Sequence, residues 1–155
     1  MILRNVLFAA ALVALPGAAH AWEHVEKGVR ISDPWTPATL RVQSGNAVYF
    51  KVKNETAAAL HLTGVKSPVA GSSTLHTTLY GNDGVARMLD IAQVEIAPGE
   101  TLVLEPQAMH VMMTAMPKAV ARDQTFPITL TFREIGDVTV DVMVEAATAL
   151  APRVR

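Results

Sequence analysis

The chain has 155 residues, no cysteine, and 13 Lys or Arg against 14 Asp or Glu, for a net charge of −1. Half of it is hydrophobic and 17% is charged, which suits one domain with a real core. The missing thiols exclude disulfide staples, thiol redox chemistry and Cys-ligated metals, blue-copper centres among them. Near-neutral charge without a basic run gives no electrostatic case for nucleic acid.

Residues 1–21 read as an export signal. Arg4 supplies a positive start, Val6 to Leu15 is apolar but too short to span a bilayer, and Pro16-Gly17 breaks the run. Ala19-His20-Ala21 fits a small-x-small cleavage site, so the mature chain is expected to begin at Trp22. That places the protein in the periplasm, or outside the cell, with no membrane anchor after cleavage.

The pattern after the leader is β. Ala47 to Val52 reads as a strand, Asn54-Glu55-Thr56 as a turn, and His61 to Val65 and Ser73 to Tyr80 as further strands. Gly81-Asn82-Asp83-Gly84 is a hairpin turn. Val85 to Leu89 returns from it and Ile91 to Ile96 continues. Pro98-Gly99 supplies the two central residues of a type II turn. Thr101 to Leu104, Met109 to Met113, Phe126 to Phe132 and Val138 to Val144 complete the set. In the last, four valines alternate with Thr139, Asp141 and Met143, so one face is apolar with period two. Its partner runs back across Gly136-Asp137. Many short strands without helical periodicity predict an all-β sandwich or barrel over residues 22–145. Residues 146–155 lack a strand pattern and are expected to form a flexible tail.

Four residues carry chemistry. Eleven residues separate His76 from Met88, twenty-one separate Met88 from His110, and one separates His110 from Met112. Two imidazoles and two thioethers make a poor acid/base set and a good set for a soft ion, because thioether sulfur selects monovalent copper and imidazole also suits it. His110 and Met112 lie two apart on a strand and share a face, and Val111 and Met113 take the other. If Asn82-Asp83-Gly84 is a three-residue loop with Gly84 left-handed, Gly81 pairs with Val85 and Met88 falls opposite Thr78. His76 and Met88 are then diagonal neighbours. A loop one residue shorter would put them on opposite faces. Taken singly, a Met is more often core filler and a His more often a surface or satisfied residue. Met109, Met113 and Met116 are expected to be mostly packing residues, and His61 structural or surface. The joint spacing is what is specific.

That spacing resembles the pattern of the periplasmic copper chaperones of the PCu(A)C type, which serve the CuA centre of cytochrome c oxidase. His76, Met88, His110 and Met112 match the family's His, eleven residues, Met, twenty-one residues, His-x-Met without a gap, although Thr77 stands where the family often has an extra Met. Similar sequence recurs at Ala47 to Asn54, at Leu75-His76, at Pro98-Gly99-Glu100 and at Phe126 to Phe132, so the likeness runs roughly from Ile31 to Val144. It implies a cupredoxin-like Greek-key β-sandwich with one exposed Cu(I) at one end, held by His76, Met88, His110 and Met112. It also implies partners: the CuA-bearing subunit of cytochrome c oxidase, and other copper-assembly proteins.

Only the two histidines of such a site compete with protons for the ion, so affinity should weaken on acidification. Oxidation should loosen the thioethers, because Cu(II) prefers nitrogen and oxygen. Neutral ligands would favour handing the ion on to a cysteine-bearing acceptor. No nucleophile or catalytic base is visible, so no enzyme is expected. A second site is open to consideration: a new terminus Trp22-Glu23-His24 offers an amine, two amides and an imidazole to Cu(II), and the bland alternative is that His24 is a polar residue near a frayed end. Two competing functions stand beside delivery to an oxidase. One is copper buffering or tolerance without a dedicated acceptor. The other is a metal-free adhesion or assembly sandwich in which the motif is coincidental.

Overall fold

The computed structural model describes residues 22–41 and 45–153. The expected leader, residues 1–21, lies outside the described residues. Eleven strands follow one another: β1 Glu23–Glu26, β2 Val29–Pro37, β3 Gly45–Asn54, β4 Leu60–Lys66, β5 Ser72–Tyr80, β6 Ala86–Ile91, β7 Val94–Ile96, β8 Thr101–Leu104, β9 His110–Thr114, β10 Thr125–Phe132 and β11 Gly136–Glu145. Among the described residues there is no helix long and apolar enough to cross a membrane.

The strands are ordered β6-β5-β9-β3-β2-β11-β10-β4-β7, with β1 on β2 and β8 on β3. Spatial neighbours are often distant in sequence, as the crossovers of a Greek-key arrangement require. β11 lies parallel to β2, pairing Met143 with Trp35, and the other pairs are antiparallel. β3 links the two arms. Its first half, Gly45 to Val48, pairs with β9, and its second half, Phe50 to Lys53, pairs with β8. One buried cluster draws side chains from both arms, including Leu75 and Val111 from one and Leu62, Ile128 and Val142 from the other. The fold is therefore all-β, with two arms closed over one core.

Alternation explains the core. Val48, Phe50 and Val52 of β3 are buried while Lys51 and Lys53 are exposed, which is the period-two pattern of a strand with one wet face. Asn54 continues the buried set and is fully satisfied. Its Nδ2 donates to Ala58 O at 2.7 Å and to Ile96 O at 2.9 Å, and its Oδ1 accepts Thr56 N–H at 2.9 Å. Gly99 has φ +76°, and Glu100 N–H donates to Ala97 O at 3.0 Å, so the turn expected at Pro98-Gly99 forms.

Four regions differ from the sequence expectation. β1 and β2 precede the first strand expected from the sequence. Asp-Pro is a turn signal, yet Asp33 has φ 53° within a register shift between Ser32 and Trp35, a bulge that lets the strand continue. Ile91 to Ile96 is not one strand. β6 ends at Ile91, and after Ala92 and Gln93 the chain joins the other arm as β7, paired with β4. The tail beyond Ala146 is not free over its described residues. Arg153 Nε meets Glu145 Oε2 at 2.5 Å, and its Nη2 meets Asp123 Oδ1 at 2.5 Å. The fold-back covers the outer face at the end of β11, so Met143 and Glu145 are buried along with the alternating valines. The last hairpin turns at Arg133 to Ile135, with Gly136 at φ +75° and opposite Phe132, slightly earlier than the residues 136–137 expected.

Candidate metal centre

The β5–β6 hairpin forms as its turn chemistry demands. Gly81 N–H donates to Val85 O at 3.0 Å, Gly84 N–H to Gly81 O at 2.9 Å, and Gly84 has φ +72°. Three loop residues then fix the register, and Met88 lies opposite Thr78. Two residues further along, on the same face, Asp90 lies opposite His76. On the other side of β5, His76 lies directly opposite His110, and Thr74 opposite Met112. Three adjacent strands thus bring His76, Met88, His110 and Met112 to one face. The imidazole centroids of His76 and His110 are 5.8 Å apart, edge to face. Between them the other face is used for packing: Leu75, Val111 and Met113 are buried in the core.

Burial falls off across the group. His110 is 4% exposed and Met88 is 61% exposed, with His76 and Met112 between them. The His110 Nδ1 lies 3.1 Å from Ala108 O. A carbonyl only accepts, so Nδ1 carries the proton and Nε2 keeps its lone pair for a ligand. His76 Nε2 is 2.9 Å from Thr74 Oγ1 and 2.8 Å from Asp90 Oδ1, while its Nδ1 is buried with no hydrogen-bond partner. An orphaned imidazole nitrogen and an uncommitted one, flanked by two thioethers, suit a soft cation as cargo. Among the described residues no three of His, Cys, Asp and Glu gather to hold a metal ion, so any ion on this face would draw on the methionines.

The support extends along the same row. The Tyr49 ring lies 6.4 Å from that of His110 and 4.8 Å from that of Trp35 between centroids, tilted against both. Burial raises the Tyr49 phenol above its ordinary value, which keeps it neutral beside the site. A Cβ on Gly45 would come within 2.5 Å of Met112 Cε and 2.8 Å of Met113 O, so only glycine leaves room for the thioether there.

Sequence reasoning missed Asp90, Thr74, Tyr49 and Gly45. Asp90 was the accessible one, because counting the hairpin two pairs beyond Thr78 and Met88 sets it against His76. The other proposed ligand group is arranged differently. Trp22 O accepts Asp33 N–H at 2.8 Å, and Glu23 and His24 pair with Ser32 and Ile31 in the extended β1. His24 Nε2 lies 3.2 Å from Glu26 Oε2. Successive amides of a strand point to opposite sides, so the structure does not gather an amine, two amides and an imidazole in one plane, and doing so would mean opening β1 from β2. His61 is structural, as expected: its Nδ1 is 2.7 Å from Glu134 Oε1 and its Nε2 3.4 Å from Glu95 Oε2.

Known proteins share this architecture. The chain is similar to the copper-bound PCuAC domain from PmoF2, with 25% identity, a TM-score of 0.68, and coverage of 80% of this chain and 97% of that one. The apo PCuAC domain from PmoF1 superposes with a TM-score of 0.69 at 21% identity, over 80% and 98% of the two chains. The Cu(I) form of DR1885 from Deinococcus radiodurans gives 0.56 at 23% identity, over 74% and 76%. These likenesses bear out the cupredoxin-like fold expected from the sequence. Among curated proteins, the "Putative lipoprotein Lxx21020" of Leifsonia xyli subsp. xyli (strain CTCB07) is 28% identical over 123 residues, covering 79% of this chain and 72% of that protein. A family model described as "Putative lipoprotein LpqE-like" matches residues 29–144, nearly the whole sandwich and all four candidate ligands, and the chain belongs to that LpqE-like family.

Proposed function

We propose that this protein is an exported metallochaperone that carries one Cu(I) ion on His76, Met88, His110 and Met112. The observation that carries the reading is the register: β5 sets His76 against His110, and the neighbouring strands bring Met88 and Met112 to the same face. The copper-bound state of a similar PCuAC domain supports copper as the cargo. Export is supported by the family's lipoprotein description together with the leader-like start of the sequence. None of the 155 residues is a cysteine, so no lipid is joined through a cysteine sulfur within them.

The chemistry favours carriage over storage. Imidazole and thioether are neutral ligands, and a d¹⁰ ion accepts few of them in loose geometry. An acceptor with thiolates would bind the same ion more strongly, so transfer runs downhill. We propose the periplasm as its location and the CuA centre of cytochrome c oxidase as the destination. Buffering without a dedicated acceptor is the competing use of the same site.

Anaerobic titration of the purified protein with Cu(I) against a chromophoric competitor tests the first claim. One tight equivalent is expected, much weakened when Met88 and Met112 are both alanine. Unchanged binding in that variant would remove the thioether site. Incubating the loaded protein with an apo CuA domain then separates delivery from buffering, because buffering gives no productive transfer.

A further inference from the structure

The two candidate histidines commit opposite ring nitrogens to the protein. His110 gives Nδ1–H to Ala108 O at 3.1 Å, and that carbonyl also accepts Thr78 N–H at 3.3 Å. His76 reverses the pattern: Nε2 lies 2.8 Å from the Asp90 carboxylate and 2.9 Å from Thr74 Oγ1. An ionised carboxylate only accepts, so Nε2 carries the proton and Nδ1 holds a lone pair. That Nδ1 is buried and unpartnered. A buried polar atom left unpaired calls for an explanation, a ligand among them.

We propose that Asp90 is a positioning residue of the copper site. It fixes His76 in the Nε2–H tautomer, so that the ion is bound through His76 Nδ1 and His110 Nε2. The inference rests on the His/Met reading of the site and adds the residue that decides which nitrogen is used. Such carboxylate–histidine–metal arrangements fix ring orientation and raise ligand basicity. The hairpin makes the arrangement economical. Met88 and Asp90 lie two apart on β6, so one strand face delivers a thioether ligand and a carboxylate against His76. The carboxylate also brings one negative charge beside a neutral ligand set, matching the single charge of Cu(I).

The test uses the full mature chain with ¹⁵N-labelled histidine and long-range ¹H–¹⁵N spectra at mildly alkaline pH. In the apo protein His76 should show a protonated Nε2 and His110 a protonated Nδ1. One equivalent of Cu(I) should shift His76 Nδ1 and His110 Nε2. Asp90→Ala should mix the His76 tautomers and weaken Cu(I) binding by about 10–100-fold, the range for such outer partners. Asp90→Asn, whose amide oxygen still accepts the Nε2 proton, should restore the apo tautomer. Asp90 is 83% exposed, so neither variant should disturb the core, and backbone amide shifts verify this. A Cu(I)-induced shift at His76 Nε2, or Asp90→Ala with wild-type spectra and affinity, would overturn the positioning role while leaving the carrier reading intact. Absence of Cu(I) binding by the wild-type chain would overturn both, and the apo spectra tell these failures apart.

Discussion

Met88 and Met113 are the same side chain on opposite terms, and their substitution separates affinity from stability. Met88 stands on β6 and is 61% exposed, whereas Met113 of β9 is 0% exposed. Truncating Met88 to alanine removes little buried surface and should cost at most about 1 kcal/mol of folding free energy. Truncating Met113 leaves a cavity in the core and should cost about 2–5 kcal/mol. Copper binding should respond in the reverse sense. Met88→Ala loses one of four ligands, and at least a tenfold weakening, about 1.4 kcal/mol, is expected for Cu(I). Met113→Ala, with its side chain on the far face of the strand, should bind Cu(I) as the parent does once folded. Urea denaturation gives the stabilities, and anaerobic competition with a chromophoric chelator gives the affinities. The reasoning fails if Met113→Ala, still folded, weakens Cu(I) as much as Met88→Ala. It also fails if Met88→Ala retains wild-type affinity.

Gly45→Ala would press a methyl against Met112 Cε and the Met113 carbonyl; a loss of about 1–3 kcal/mol and weaker Cu(I) binding are expected, and an unaltered Cu(I) affinity would show that Met112 need not sit there. The backbone N–H of His61 at 2.8 Å, and then its ring, hold the Glu134 carboxyl below its ordinary value. The stabilisation from a lowered acid is complete above the ordinary glutamate range and is lost as pH falls through the depressed value. The protection factor of the His61 amide, its exchange rate measured against the intrinsic rate at the same pH, should therefore fall in acid, and Glu134→Gln should abolish that dependence; a variant with the same pH profile would assign it elsewhere. Arg153→Ala would leave the carboxylate of Glu145, 3% exposed, without the guanidinium at 2.5 Å. Limited proteolysis beyond Glu145 should become much faster, and an equally resistant tail would mean that other contacts hold it.

What the sequence disclosed followed from short-range rules. The left-handed Gly84 and a three-residue loop determine which residues oppose one another, and this is enough to set Met88 opposite Thr78. Period-two alternation likewise placed Val111 and Met113 inward, leaving His110 and Met112 outward. What stayed hidden depended on long-range contacts. Asp33-Pro34 carries a turn signal, but β3 on one side and β1 on the other supply enough pairing to carry β2 through a bulge. The tail offers no periodicity. Its order rests on one arginine reaching Glu145 and, thirty positions back in sequence, Asp123.

The order in which the four proposed ligands are buried bears on how cargo would leave. His110 is locked at its base by Ala108 O and flanked by Tyr49, itself packed against Trp35, so it cannot follow an ion outward. His76 is partly covered and tied to Asp90. Met88, at the edge strand, is mostly in solvent and loses little by swinging away, since its departure empties no core volume. An incoming thiolate would therefore replace Met88 first, while the histidines still hold the ion, and the exchange would proceed through a shared intermediate without releasing free copper. Fixing Met88 should slow transfer more than it changes affinity. A disulfide between cysteines introduced at the opposed positions Tyr80 and Ala86 would stiffen the hairpin beside it. Loaded oxidised protein is expected to give up Cu(I) to a thiolate acceptor more slowly than its uncrosslinked parent at nearly equal Cu(I) affinity, and equal transfer rates would place the exit at another ligand.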